Sequence, residues 1–182
     1  MGIIHKVFDD WNTNFLRTES TDVALVNAEK GDGYESTHRF EDVADGATVR
    51  VSIETALDEP TIANLDVNAG GEVRTDFYEG ADISGGSEAL DENLNRNSFA
   101  SAESDVVVKY GVTVDTQGTK IAEGGGGGRR GVGNSVPVPG GVTSAAWILN
   151  TDDTYVFEVT NNSGSAIDIT ISIGYRLKEL SN

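Results

Sequence analysis

Ile167, Ile169, Ile171, Ile173 and Tyr175 alternate with Asp168, Thr170, Ser172, Gly174 and Arg176 near the C-terminal end of the chain. A period of two with one apolar face predicts a strand that covers a core on one side. Thr154 to Thr160, just before it, is rich in β-branched and aromatic residues, which favour a pleated, half-buried surface. Between them, Asn161-Asn162-Ser163-Gly164-Ser165 supplies residues that tolerate left-handed backbone angles. The reading is two strands paired as an antiparallel hairpin. Trp147-Ile148-Leu149 predicts a further short strand, ended by the turn residues Asn150-Thr151-Asp152-Asp153.

Upstream the same period recurs. Tyr34 to Phe40 precedes the turn Asp45-Gly46, and Val49, Val51 and Ile53 then share one face. Pro60 interrupts the chain. Ile62, Leu65 and Val67 lead to the turn Asn68-Ala69-Gly70-Gly71, and Val73 to Tyr78 is another strand. Val106, Val108, Tyr110, Val112 and Val114 are in phase, and Gly118-Thr119-Lys120-Ile121 begins a short piece. Short strands separated by Gly, Asp and Asn turns predict an all-β sandwich or barrel, and an antiparallel, jelly-roll-like β-sandwich is the form expected.

Two stretches lack the pattern. Residues 80–104 form a long polar segment, and 124–141 combine five consecutive glycines with Arg129-Arg130 and Pro137-Val138-Pro139. Both are predicted to be long loops of a single domain spanning 31–182. In residues 1–30, Ile3, Ile4, Val7, Phe8, Trp11, Phe15 and Leu16 recur at spacings of three and four. That spacing suits a short amphipathic helix, and it equally suits an arm lying in a neighbour's groove.

Charge changes the picture more than composition does. The net charge is −17, with 30 Asp and Glu against 13 Lys and Arg, spread along the whole chain. Such a surface repels a phosphate backbone, so no nucleic-acid partner is expected. It suits molar salt, where the Debye length of about 3 Å screens self-repulsion. There is no cysteine, and therefore no disulfide framework or thiolate metal site. Neither a membrane-length apolar run nor a leader pattern is apparent, so no membrane partner is expected.

The candidate chemistry is thin. Gly124 to Gly128 before Arg129-Arg130 resembles a phosphate loop, but Pro137 and Pro139 follow where such a loop requires a helix. His5 and His38 are the only histidines and are far apart, too few for a cupin-type metal centre. Asp9-Asp10, Asp58-Glu59 and Asp152-Asp153 lack the alternating pattern of a dedicated calcium loop. No Gly-x-Ser-x-Gly elbow is present. Asn161-Asn162-Ser163 is a glycosylation sequon expected to be exposed in a turn, where the turn role alone accounts for its residues. Trp11, Trp147 and the tyrosines are read as core rather than as a sugar-stacking platform. No catalytic, metal-binding or cofactor-binding residue is assigned, and the chain is not expected to be an enzyme.

Several motifs follow one another in a recognisable order: Tyr78-Glu79-Gly80; Asn93-Leu94-Asn95-Arg96-Asn97-Ser98; Gly118-Thr119; the glycine-rich segment from Gly124 to Gly133; Trp147-Ile148-Leu149; Tyr155 to Val159; and Thr160-Asn161-Asn162-Ser163-Gly164. In this order, across about residues 72–175, the chain resembles a family of tailed-virus virion proteins encoded near the capsid genes. The resemblance implies a non-enzymatic β-sandwich of the capsid decoration or vertex turret type on the outer surface of the head, made in the host cytoplasm. Members of that family are far less acidic, and the departure points to a halophilic, archaeal host.

A hydrophobically sparse chain gains stability by burying surface in a symmetric oligomer. The expected partners are further copies, in a homotrimer or homopentamer, and the major capsid protein or other virion proteins. Asn93, Asn95, Arg96, Asn97, Arg129, Arg130 and Trp147 are the candidate interface residues. Arg suits contact ion pairs better than Lys does. Two alternatives stand beside this reading: a tail or fibre-base protein that contacts the host, and a carbohydrate-binding or cupin-like β-sandwich domain.

Overall fold

The computed structural model describes residues 33–56, 60–89, 92–93, 105–126, 134–136 and 147–177. Among these there is no helix, and twelve strands are present. They are β1 (Gly33–Val43), β2 (Thr48–Glu54), β3 (Thr61–Ala69), β4 (Val73–Glu79), β5 (Asp82–Glu88) and β6 (Glu92–Asn93), followed by β7 (Val107–Thr116), β8 (Thr119–Gly126), β9 (Asn134–Val136), β10 (Trp147–Ile148), β11 (Thr154–Asn161) and β12 (Ile167–Arg176). The first sheet runs β10-β3-β12-β1-β6, with β9 also on β3, and the second runs β5-β7-β2-β11-β4-β8. Every pairing is antiparallel.

The all-β sandwich read from the sequence is therefore the observed fold. Its connectivity is that of a jelly roll. The chain crosses from one sheet to the other between β1 and β2, between β3 and β4, and again between β11 and β12. The order β1-β12-β3-β9 faces β2-β11-β4-β8, and β7 and β5 widen the second sheet beyond β2.

The predicted hairpin is corrected by this arrangement. β11 pairs with β2 and β4, whereas β12 pairs with β1 and β3. Burial explains why. Tyr155 to Val159 are buried without a break, so β11 has both faces covered and needs a neighbour on each side. β12 alternates from Asp168 to Ile173, as a strand with one wet face does. Two strands with such different surroundings sit in opposite sheets, and residues 162–166 bridge the gap of roughly 10 Å between sheets.

Two loop expectations are corrected as well. Residues 82–88 form β5, and 92–93 form β6, inside the predicted loop 80–104. Gly124, Gly125 and Gly126 continue β8 beside Thr75, Arg74 and Val73, and 134–136 form β9 beside β3. Glycine suits this stretch of β8 for a steric reason, because a Cβ on Gly125 would lie 3.0 Å from the Val73 carbonyl oxygen. The expected N-terminal arm or helix lies outside the described residues.

Inward-facing side chains form one core. Phe77 is its hub, with Tyr155, Phe157 and Trp147 rings at 5.9, 6.2 and 5.8 Å. Tyr34 stacks on Tyr175 at 5.3 Å. One end of the sandwich, where the three crossings turn, is closed by Asn161. Its main chain exchanges hydrogen bonds with the β1–β2 turn: Gly46 N donates to Asn161 O at 2.7 Å, and Asn161 N donates to Ala47 O at 3.0 Å. Its side-chain Nδ2 donates to Val43 O and Ser165 O, and its Oδ1 accepts from Ser163 N. The third crossing joins through Asn162 N, which donates to Glu72 O. Gly71 is required there, since a Cβ on it would meet Ser163 Cβ at 2.5 Å.

The sequon residue is thus buried at 0% exposure, contrary to the expectation of an exposed turn. A planar amide with two donors and an acceptor is what these turns need. Asn161→Ala would take from the buried Val43 carbonyl its side-chain donor, at about 1–3 kcal/mol, while Ser165 O keeps the Ser163 hydroxyl. We expect urea unfolding to show a loss of about 2 kcal/mol, against about 0.5 kcal/mol or less for the exposed neighbour in Asn162→Ala.

Candidate interaction surface

The opposite end of the sandwich is tied by a second polar knot, around Glu79. Tyr155 OH donates to Glu79 Oε1 at 2.9 Å, and Asn150 Nδ2 donates to the same oxygen at 2.8 Å. Asn150 N donates back to the Tyr155 hydroxyl. Thr55 Oγ1 donates to Asn150 O and accepts from Asp153 N. Gly118 touches the same place: its φ is +49°, and a Cβ there would lie 2.4 Å from Glu79 O. Burial raises the pKa of Tyr155, the Asn150 amide opposes this, and the Glu79 carboxylate raises it further. The phenol is held protonated as a donor.

The outer face of the second sheet carries a lattice of ion pairs. Arg50 Nε lies 2.7 Å from Glu158 Oε1, and Lys120 Nζ lies 2.7 Å from Asp76 Oδ1. Arg74 grips the same Asp76, with Nε 3.0 Å from Oδ2. Lys109 Nζ is 2.6 Å from Glu54 Oε1, an ion pair without hydrogen-bond alignment. Register explains the clustering, because Glu158 stands opposite Arg50 on β2 and Asp76 on β4, and Asp76 stands opposite Glu123 on β8. The cations Arg50, Arg74, Lys109 and Lys120 thus meet the acids Glu54, Asp76, Glu123 and Glu158. Those eight charges balance on a chain of net charge −17. Partly exposed pairs of this kind contribute only about 0–1 kcal/mol each. Their main effect is to remove repulsion from one face.

The outer face of the first sheet is built differently. Thr37, Ser172 and Asp66 form one row, and Arg39, Thr170 and Asn68 the next. Thr37 and Ser172 share a hydrogen bond, and Arg39 pairs with Asp168 at 2.6 Å. Arg39 holds the Asp168 carboxyl below its ordinary range. This face is flat and polar, with short side chains at its centre.

Strand edges complete the surface. β5 and β8 end the second sheet. β6 covers β1 only at Tyr34 and Glu35. Past that point the seam between the sheets holds His38, exposed, stacked on Tyr110 at 4.6 Å, with Phe40 edge-on to His38 at 4.7 Å. Among the described residues no group of three or more His, Asp or Glu is placed to hold a metal ion.

Of the candidate interface residues, Asn93 lies on β6 opposite Tyr34. Trp147 is half-buried, with its ring against Phe77, while its neighbour Ile148 is 70% exposed. Asn95, Arg96, Asn97, Arg129 and Arg130 lie outside the described residues. Sequence reasoning missed Arg50, Arg74, Lys109 and Lys120, although Arg74, Asp76 and Tyr78 alternate with core residues and so share the outer face. It also missed Asn150 as the partner of Glu79. No protein-family model matches the chain, and no curated protein matches it.

The Tyr155 knot predicts a pH dependence. The unfolded phenol titrates near 10, and the folded pKa is higher. Its contribution to stability is therefore complete below about pH 10 and is lost as the pH rises above that value. We expect Tyr155→Phe to be less stable than wild type at pH 7 by about 1–3 kcal/mol. The gap should narrow toward pH 11, as read from urea midpoints of the two proteins side by side.

Proposed function

We propose that this chain is a non-enzymatic, homo-oligomeric structural subunit of a virion. In this reading it sits on the outer surface of the head, as a capsid decoration or vertex turret protein of a halophilic tailed virus. Its partners are further copies of itself, the major capsid protein or other virion proteins.

One observation carries the proposal. The motif residues that resemble the virion family lie far apart in sequence, and they meet at the two ends of the jelly roll. Glu79, Gly118 and Tyr155 join at one end, and Asn161 and Ser163 at the other. They are used to hold turns together, which is the work of a scaffold. What the described residues offer to a partner is two broad faces and free strand edges. Jelly rolls with such surfaces tile readily, because an edge strand presents unpaired backbone groups to a neighbour.

The charge distribution supports the halophilic part. The described cations are mostly drawn into ion pairs, while exposed carboxylates such as Glu35, Glu72, Asp82, Asp105 and Asp115 cover the rest. Copies of such a molecule repel one another in dilute buffer and associate when the charge is screened.

Light scattering tests the proposal directly. In about 3 M KCl, where the Debye length falls to about 3 Å or less, we expect one discrete mass of three or five subunits. In dilute buffer the assembly should fall apart and the thermal midpoint should drop. A compact monomer in both buffers, with a midpoint indifferent to salt, would remove the basis for the proposal.

A further inference from the structure

We propose that subunits join by extending the second sheet from copy to copy, with the free edge of β8 receiving the free edge of β5 from the next molecule. This inference rests on the oligomeric reading above and adds which edges meet.

The two edges lie at opposite ends of one sheet. A contact between them is therefore head-to-tail, the kind that closes into a ring when the rotation per subunit allows. Among the described residues, β8 bonds only to β4 and β5 only to β7. Both edges are accessible. Asp82 and Ser84 to Glu88 are exposed on β5, as are Thr119, Lys120, Glu123 and Gly125 on β8.

Charge selects the pairing. β5 carries Asp82 and Glu88 and no cation, and neither acid forms an ion pair among the described residues. β8 carries Lys120, and Arg74 stands one strand in from the edge with its side chain 54% exposed. Across from Arg74 on β8 is Gly125, which has no side chain to screen the guanidinium from an incoming strand. Arg74 and Lys120 share a single close carboxylate, Asp76, and Glu123 is only a weak second partner for Lys120 at 3.5 Å. The pair therefore holds cationic capacity that its own molecule does not use. On a chain of net charge −17, this is the place where an acidic strand of a second copy meets attraction.

A lone edge lysine ordinarily keeps edge strands apart. Set against an acidic edge it gives direction to the contact instead: β8 accepts β5, whereas β5 repels another β5. Gly85 and Gly86 on β5 add no side chain that would hold β8 away.

The absence of cysteine makes a clean test. Ser84→Cys and Glu123→Cys are prepared as separate full-length proteins, mixed in about 3 M KCl, and treated with a short bis-maleimide. Cross-linked pairs should form in the mixture and not in either protein alone. Adding Lys120→Glu to the Glu123→Cys protein should lower the yield about fivefold or more, whereas adding Arg39→Glu, on the first sheet, should leave it unchanged. Circular dichroism checks that each variant is folded. If Glu123→Cys cross-links to itself as well as to Ser84→Cys, the head-to-tail pairing is overturned. A discrete oligomer by light scattering with no cross-link in the mixture overturns the edge assignment alone. A monomer by light scattering overturns the oligomeric reading and this contact with it.

Discussion

The side-chain amide of Asn161 stands where three chain crossings meet, and the rest of the sandwich depends on that meeting. Each crossing carries a strand from one sheet to the other, so each must turn sharply, and the polar main-chain groups on the inner side of the turns need partners. The buried Val43 O would lose its side-chain donor without Asn161, whose amide also ties Ser165 O into the same closure. A buried carbonyl left without a partner costs more than a typical hydrogen bond contributes. One residue therefore fixes the relative positions of β1, β11 and β12, and through Asn162 and Glu72 it also fixes β4. The Glu79 knot does the same work at the far end, with a carboxylate as acceptor in place of an amide as donor.

Much of this was legible in the sequence, and the limits have physical causes. Alternation in Ile167 to Arg176 and in Val106 to Val114 marks strands because one face is wet and the other dry. The same logic fails for Tyr155 to Val159, where both faces are covered and no period remains to say which strands lie alongside. Pairing was then misjudged by proximity along the chain. Residues 82–88 escaped because glycine and serine carry no strand signal of their own. They are a strand only because β7 offers a ladder to join. The Asn161-Asn162-Ser163 run was recognised as a turn, but not as the closure of three turns, since its partners Val43 and Glu72 are about a hundred positions away.

Charge was legible as a total and illegible as a pattern. The value of −17 says how much repulsion the molecule carries, yet only the register of β7, β2, β11, β4 and β8 brings Arg50, Arg74, Lys109 and Lys120 onto one face. The two outer faces then differ in kind. One is an interlocked lattice of paired long side chains, and the other is a field of hydroxyls and amides rimmed by acids. A molecule with two unlike faces and two unlike edges is directional, and assembly from such pieces has a preferred sense.

Among the described strands no two that are consecutive along the chain pair with each other. β1 must find β12, and β2 must find β11, more than a hundred residues away. Topologies dominated by such distant contacts fold on millisecond to second timescales and offer no early local nucleus. During synthesis the problem is sharper. Chain growth of roughly 5–20 residues per second leaves β1 to β8 waiting on the order of ten seconds for the strands that will complete their sheets. Through that interval the apolar faces and unpaired edges are open, so the nascent chain depends on chaperones or on its own repelling carboxylates to stay apart from its neighbours. The acidity spread over the finished molecule thus also guards the unfinished one.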